Sequence, residues 1–273
     1  MRILSWSDPT YFRFLVTLVR SIRETGNQHH IHLALLDFNG DELPKRAFSS
    51  DPKVTWEFLS SADQKYAVKN KQEFYRNFRP GFFLDQLLQS QGPILTFGAN
   101  GVVRSSLDFI ENDLKSCDTI FMEREKSVVF DDVKNRQSVK TIEELESLLT
   151  DNHQDFFNII NKTTSKIVLL GTHGFANSEN SKSLLQAWSK LLDDQDLLNR
   201  KFSDMDLFVK AYIDLLRQGR QLKKLTYTEY NRDEHPICDT HLAKGKIWFA
   251  KGNLKWNNAS YLSEVARLAP EFS

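Results

Sequence analysis

The strongest constraint on the fold is the regular alternation of short apolar runs with helix-like segments in the first half of the chain. Apolar runs of strand length lie at residues 2–6, 31–38, 54–59, 93–97 and 119–122. After the first run, Asp8 and Pro9 are residue types preferred at a helix N-cap and at the first helical position. This order predicts an α/β fold, with a mostly parallel central sheet flanked by helices and ligands beyond the carboxyl ends of the strands.

The rest of the chain continues the mixture of strands and helices. We expect a helix over residues 69–90 that breaks at residues 79–81, where a proline is followed by glycine. We expect a strand over 166–170 that leads into a loop at 171–177. Further helices are predicted at 131–162, 183–192, 204–216 and 258–268, and strands at 225–230 and 246–249. With no repeat and no clear linker, we expect residues 1–273 to form a single domain.

Composition excludes several classes of function. The chain has 36 basic and 36 acidic side chains, which argues against nucleic acid as a partner, because such affinity depends on neutralising phosphates. The two cysteines cannot form a disulfide framework. No apolar run is long enough for a membrane span, and no signal peptide is evident, so we expect a cytoplasmic protein.

The common phosphate-binding and nucleophile motifs are missing. The sequence contains no GxGxxG after its first strand, no GxxxxGK[ST] and no GxSxG. His29, His30 and His32 cluster, but no carboxylate or thiol follows at ligand spacing, so we interpret them as the solvated start of a strand.

A series of segments carries a resemblance to a known family. In order, they are ILSWSDPTY at 3–11, FYRNFRP at 74–80, ILTFGANGVVRSSL at 94–107, the stretch 171–188, FSDMD at 202–206 and WFAKGNLKW at 248–256. The series resembles the GT-A nucleotide-sugar glycosyltransferases, in the style of the glycogenin-like and bacterial lipopolysaccharide transferases. Together the segments span most of the chain.

The resemblance implies a fold and a reaction. The fold would be a GT-A-like (Rossmann-like) sheet with a smaller acceptor-side extension. Residues of about 1–125 would form the nucleotide-binding half, and those of about 126–273 the acceptor-side half. The reaction would move a sugar from a nucleotide-sugar donor, with a UDP-sugar as the first choice, to a saccharide acceptor in polysaccharide biosynthesis.

The resemblance also assigns the donor site. The expected donor-binding residues are Ser7, Asp8, Tyr11, Arg79, Gly98, Ala99, Asn100, Arg104, Lys251 and Lys255. In related enzymes an Asp and a Tyr of the loop after the first strand commonly hold the base, and an Arg of the helix before the central strand often faces the donor.

One departure from the family pattern concerns metal. The position of the family's DxD motif reads Gly98-Ala99-Asn100, and the position of its late histidine is Phe249. Hard divalent cations prefer anionic oxygen ligands, so we expect no metal and no other cofactor. Arginine and lysine side chains of the donor site would then stabilise the leaving diphosphate. If the alignment of the last segment shifts, His241 remains an alternative ligand.

The catalytic and acceptor residues are less constrained. Asp204 and Asp206 are the candidate general bases of an inverting route, although both types also suit the start of a helix. Glu123 is a second candidate base, and a retaining route would need none. His173 and Asn177 are the candidate acceptor-binding residues.

Two other classes of function are open. A protein with this fold that has lost its metal site would act in binding or assembly alone. A sugar nucleotidylyltransferase ranks last, because such enzymes have a glycine-rich loop after the first strand and residues 5–11 contain no glycine.

Overall fold

The central element is a seven-stranded sheet. The structure is a computed structural model that describes residues 1–60, 71–123, 168–193, 204–227, 246–250 and 254–272. Its strands are β1 (Arg2–Ser7), β2 (His30–Leu36), β3 (Val54–Leu59), β4 (Ile94–Gly98), β5 (Gly101–Val103), β6 (Thr119–Glu123), β7 (Val168–Phe175), β8 (Lys224–Tyr227) and β9 (Ile247–Phe249). The sheet has the order β3-β2-β1-β4-β7-β6-β8, and β5 pairs separately with β9.

Strand direction is uniform except at one position. β7 is antiparallel to both of its neighbours, β4 and β6, and the other strands of the large sheet run parallel to one another. The carboxyl ends of β1 and β4 therefore meet at one edge, where Trp6 lies opposite Gly98. We call this the carboxyl edge and the opposite one the amino edge.

Helices cover both faces of the sheet. They are α1 (Phe12–Glu24), α2 (Glu42–Phe48), α3 (Lys71–Gln89), α4 (Asp108–Asp113), α5 (Glu179–Leu192), α6 (Asp204–Arg217), α7 (Leu254–Asn257) and α8 (Ala259–Leu268), with 3-10 turns at Pro9–Tyr11 and Pro270–Phe272. One apolar core joins α3, α5 and α6 to the sheet, and a second joins α1, α4 and β9. Among the described residues, no helix has the length and apolarity needed to cross a bilayer.

The predicted α/β architecture is confirmed, and so is the start of its first helical segment. The Asp8 carboxylate accepts a hydrogen bond from the Tyr11 backbone N–H at 3.0 Å, and Pro9 occupies the first position of the 3-10 turn. Both are local preferences, which explains why the sequence predicts them well.

The predicted break in the third helix is wrong, because α3 continues through Pro80. Phe78 and Phe82 beside it are fully buried, and Phe83 is nearly so. Burying each phenylalanine contributes about 1.5–3 kcal/mol, whereas an interior proline costs about 3 kcal/mol. The packing of this face therefore outweighs the lost helical hydrogen bond.

The predicted loop at 171–177 is also largely wrong. β7 runs on to Phe175, and its backbone is paired with β4 on one side and β6 on the other. After β4 the chain turns at Ala99 and Asn100 and enters β5 directly. Glycines at these positions resemble loop residues, but long-range pairing determines the structure. The helix predicted at 131–162 lies outside the described residues.

Candidate functional site

The loop that follows β1 begins at the carboxyl edge. The Ser7 hydroxyl donates a hydrogen bond to the Asp8 carbonyl oxygen at 2.6 Å, and the Asp8 carboxylate caps the following turn through one oxygen. The half-buried Asp8 is thereby fixed in orientation at the end of a central strand, where parallel α/β sheets bind ligands.

The C-terminal part of the chain reaches the same loop. The Lys255 ammonium lies 4.9 Å from the centroid of the Tyr11 ring, within range of a cation–π interaction. The Trp256 ring lies 5.8 Å from that of Tyr11. The structure thus brings together two predicted donor-site residues, Tyr11 and Lys255, that are far apart in sequence.

The segment 98–100 is hydrogen-bonded to Ala250, the residue before Lys251. The Asn100 side-chain amide donates to the Ala250 carbonyl oxygen at 2.5 Å, and the Ala250 N–H donates to the Asn100 carbonyl oxygen at 3.2 Å. A Cβ atom on Gly101 would lie 2.8 Å from Cε1 of Phe249, so only glycine permits this approach of β5 to β9. Lys251 itself lies outside the described residues.

The residues at the DxD position do not fit the divalent cation that a GT-A fold implies. Gly98 has no side chain, Ala99 has a methyl group, and Phe249 is fully buried and stacked on Phe97 at 6.2 Å. Among these positions, Asn100 alone offers a side-chain oxygen. A hard cation takes several oxygen ligands, most of them anionic. His241 lies outside the described residues.

The two candidate arginines differ in position. The Arg79 guanidinium lies 5.6 Å from the Trp6 ring centroid, next to the carboxyl edge. Arg104 follows β5, about 10 Å beyond Gly101 at the usual rise of a strand. Its guanidinium lies 3.9 Å from the Glu264 carboxylate. The structure therefore keeps Arg79 at the candidate site and does not bring Arg104 there.

Asp204 and Asp206 lie at the start of α6. This helix has 14 residues and a length of about 21 Å. It precedes β8, whose first residue, Lys224, pairs with Thr119 at the amino edge. One turn into the helix, Phe208 packs against His173 and Phe175 of β7, so these contacts do not bring the start of α6 to the carboxyl edge. The side chains of both aspartates, and that of Glu123, lie outside the described part.

The two predicted acceptor-binding residues lie elsewhere. His173 is within β7 and 1% exposed, with its ring 4.8 Å from Phe208. Asn177 is exposed and donates to the Ser90 carbonyl oxygen at 2.9 Å. Since Phe175 pairs with Ile94, Asn177 is at the amino edge. The structure brings neither residue together with those at the carboxyl edge.

Sequence reasoning missed two residues near the site. Asp37 directly follows β2 and has a positive φ of 54°, a conformation that aspartate adopts more readily than most residues. Arg13, in the first turn of α1, places its guanidinium 4.8 Å from the Phe14 ring centroid and 5.1 Å from that of Trp256. The sequence offered one signal for Arg13, a basic residue at the start of an otherwise apolar helix. It offered no signal for the positive φ of Asp37.

The tryptophans divide between core and surface. Trp188 is fully buried and Trp248 is 5% exposed, whereas Trp256 is 41% exposed. Trp248 packs edge-on against Tyr261 at 5.0 Å, and burial raises the pKa of the Tyr261 phenol far above its usual value. Trp256 is therefore the one of these three that can contact a ligand without rearrangement.

Comparison with known proteins identifies the fold. No protein-family profile matches the sequence, and no curated protein sequence matches it. Several solved structures are similar. The galactosyltransferase LgtC, solved in complex with donor and acceptor sugar analogues, matches with a TM-score of 0.56 and 10% identity over 98% of this chain and 96% of LgtC. An active-site mutant of LgtC matches with a TM-score of 0.59 and 10% identity over 99% of this chain and 96% of the mutant. The chain has a GT-A fold.

A second protein shares the GT-A fold of this chain. The bifunctional glycosyltransferase WbbM, in its apo form, matches with a TM-score of 0.58 and 13% identity over the whole of this chain. The chain spans about half of WbbM, at 51%. The structural neighbours are thus glycosyltransferases, and the GT-A-like architecture implied by the sequence is confirmed.

Proposed function

We propose that this protein is a glycosyltransferase that moves a sugar from a nucleotide-sugar donor to a saccharide acceptor without a divalent metal. The observation that carries the proposal is the meeting of Tyr11 and Lys255 at the carboxyl edge, beside a DxD position that has no carboxylate. The GT-A fold shared with LgtC and WbbM supports it.

The loop after β1 provides the groups that a nucleoside needs. The Tyr11 ring offers an aromatic face against which a base can stack. The Asp8 carboxylate uses one oxygen as a cap. Its second oxygen remains oriented to accept a hydrogen bond from a base N–H. A UDP-sugar is the first donor to test.

Protein cations replace the metal in this proposal. A leaving nucleoside diphosphate gains negative charge in the transition state, and preorganised cations stabilise such charge best. The Tyr11 ring holds Lys255 in place at 4.9 Å, and Arg79 lies near the end of β1. Lys251 follows Ala250 directly and is proposed as a further phosphate ligand.

The bond changes define the role of the aspartates. In an inverting route, Asp204 or Asp206 accepts the proton of the acceptor hydroxyl as its oxygen bonds to the anomeric carbon. The bond from that carbon to the diphosphate oxygen breaks, and the electron pair leaves with the nucleotide. This assignment follows the resemblance of FSDMD at 202–206 to the family pattern. In a retaining route neither aspartate is required as a base.

Nucleotide titration in the presence of EDTA tests the proposal. UDP, GDP and CMP compounds are titrated calorimetrically into the intact protein, with and without manganese. We expect one nucleotide to bind in EDTA with an unchanged Kd on adding manganese. Charge-assisted hydrogen bonds contribute about 1.5–3 kcal/mol, so Lys255→Ala is expected to weaken binding roughly 10–100-fold.

Lys45→Ala is the matched control, because it also removes a lysine charge. Lys45 lies on α2, its side chain is 61% exposed, and it pairs with Asp41. Binding that requires manganese would refute the metal-independent site, and no nucleotide binding at all would refute the transferase. Nucleotide binding with neither donor hydrolysis nor sugar transfer would favour a non-catalytic protein that uses the same site.

The acceptor residues need a separate test. Acceptor binding by His173 and Asn177 stays a prediction, and Asn177→Ala is the direct probe because Asn177 is exposed. A raised KM for the acceptor with an unchanged KM for the donor would support it.

A further inference from the structure

A surface cavity of about 340 Å³ lies beside the loop that follows β1. Its wall includes Pro9, Thr10 and Arg13 from the start of the first helical segment, Leu43 from α2, and Trp256 from α7. Small-molecule sites typically begin at about 300 Å³, so the cavity is large enough for a single sugar ring.

Arg13 supplies the charge in this cavity. In the part of the chain that the structure describes, Arg13 forms no salt bridge, whereas Arg20 and Arg23 on the same helix pair with Glu271 and Asp51. Its guanidinium is instead held against Phe14 and Trp256. Aromatic contact fixes the plane of the guanidinium, and among the described residues its N–H groups have no anionic partner.

Among the described residues that line the cavity, no acidic side chain opposes that charge. Of the described residues that line the cavity, Arg13 is the one with a formal charge, and the others are apolar apart from Thr10. An arginine in such surroundings favours an anion with two oxygens that accept parallel hydrogen bonds, as carboxylates and phosphates have.

Trp256 supplies an apolar surface next to the charge. Its indole is 41% exposed and contributes to the cavity wall. Edge-on packing against Phe14 at 5.1 Å and Tyr11 at 5.8 Å fixes the ring. Rigid aromatic surfaces of this kind bind at low entropic cost, and the C–H face of a sugar ring is a suitable partner.

We infer that this cavity binds an acidic saccharide, a sugar ring that carries a carboxylate or a phosphate. Arg13 pairs with the anionic group, Trp256 packs against the ring, and the Thr10 hydroxyl hydrogen-bonds a ring hydroxyl. The cavity adjoins the proposed nucleotide site, since Trp256 packs against Tyr11, but its lining includes neither Tyr11 nor Lys255. The inference does not depend on the proposed transfer reaction.

Ligand-observed NMR and calorimetry on the intact protein test this site. The probes are glucuronate, glucose 6-phosphate, glucose and inorganic phosphate. We expect glucuronate or glucose 6-phosphate to bind in the millimolar range and at least tenfold more tightly than glucose or free phosphate. Saturating UDP should not displace the acidic sugar. The two acidic sugars distinguish a carboxylate from a phosphate as the preferred anion.

Substitutions separate specific binding from general charge effects. Arg13→Gln should weaken acidic-sugar binding at least tenfold, and Arg13→Lys should give an intermediate value because it keeps the charge without the planar fork. Arg220→Gln, which removes an exposed arginine after α6, should leave binding unchanged. Thermal unfolding of each variant checks that it is folded.

Several outcomes would overturn the inference. They are equal binding of glucose and glucuronate, full binding by folded Arg13→Gln, displacement by UDP, and the absence of binding by any probe. Displacement by UDP would itself show that UDP binds, and the other three results leave nucleotide binding in EDTA untouched. The failure of this inference can therefore be told apart from the failure of the proposed function.

Discussion

Substitution of Gly101 by alanine is expected to destabilise the protein through overpacking at the β5–β9 pair. The added Cβ would lie 2.8 Å from Cε1 of Phe249 and 3.3 Å from Cδ1 of Leu18. Phe249 cannot easily move, because it is fully buried and stacked on Phe97. Overpacking of a well-packed core costs about 1–3 kcal/mol. For a chain of this size, that corresponds to a fall in Tm of roughly 2–10 °C.

Thermal unfolding measures the effect, and two further variants give it a specific cause. Gly92→Ala is the matched control, because a Cβ at Gly92 would meet no atom within 4 Å. Phe249→Leu should destabilise on its own but should partly rescue Gly101→Ala, so that the two effects are not additive. If Gly101→Ala unfolds at the same temperature as the parent, or if Phe249→Leu gives no rescue, the steric reasoning is wrong.

Two further predictions concern titratable groups. Burial lowers the pKa of His29 and of His30 below the ordinary value of about 6.5, so the unfolded chain binds protons more readily than the folded one. The free energy of unfolding, measured in urea, should therefore be highest above about pH 6.5 and fall as the pH drops towards 5. Replacing both histidines by glutamine should flatten this dependence of stability on pH. An unchanged pH dependence would contradict the assignment of the effect to His29 and His30. Burial, with Asp113 and Asp118 nearby, raises the pKa of the Cys117 thiol to about 11. In a Cys238→Ser variant at pH 8, Cys117 should react with a thiol reagent far more slowly in the native protein than in the unfolded chain, and equal rates would show that the thiol is not protected.

The parts of the fold that the sequence predicted correctly depend on local signals. Apolar runs, the cap at Asp8 and the proline after it act within a few residues, and β3 begins and ends where the pattern of residues 54–59 places it. Pro80 shows the limit of local signals. The gain from burying its phenylalanine neighbours outweighs the tendency of proline to break a helix. β7 shows the same limit, because backbone pairing with a strand on each side extends β7 through residues that include glycines.

The candidate site was predictable in its composition more than in its geometry. The missing carboxylates at residues 98–100 are evident from the sequence, but the bond from Asn100 to Ala250 is not. Arg104 was assigned to the site because it closely follows that segment, yet β5 carries it away to Glu264. The contact of Arg13 with Trp256 joins distant parts of the chain, so no local pattern could reveal it.

The pairing of β5 with β9 has a consequence for biosynthesis. Gly101 pairs with Phe249, so the platform that supports Asn100 cannot form until β9 has left the ribosome. Until then, Val102 lacks the cover that Trp248 and Tyr261 provide in the finished molecule. A nascent chain arrested before β9 would therefore carry an incomplete carboxyl edge, and the transferase proposed here would gain its donor-binding capacity only after β9 has been synthesised.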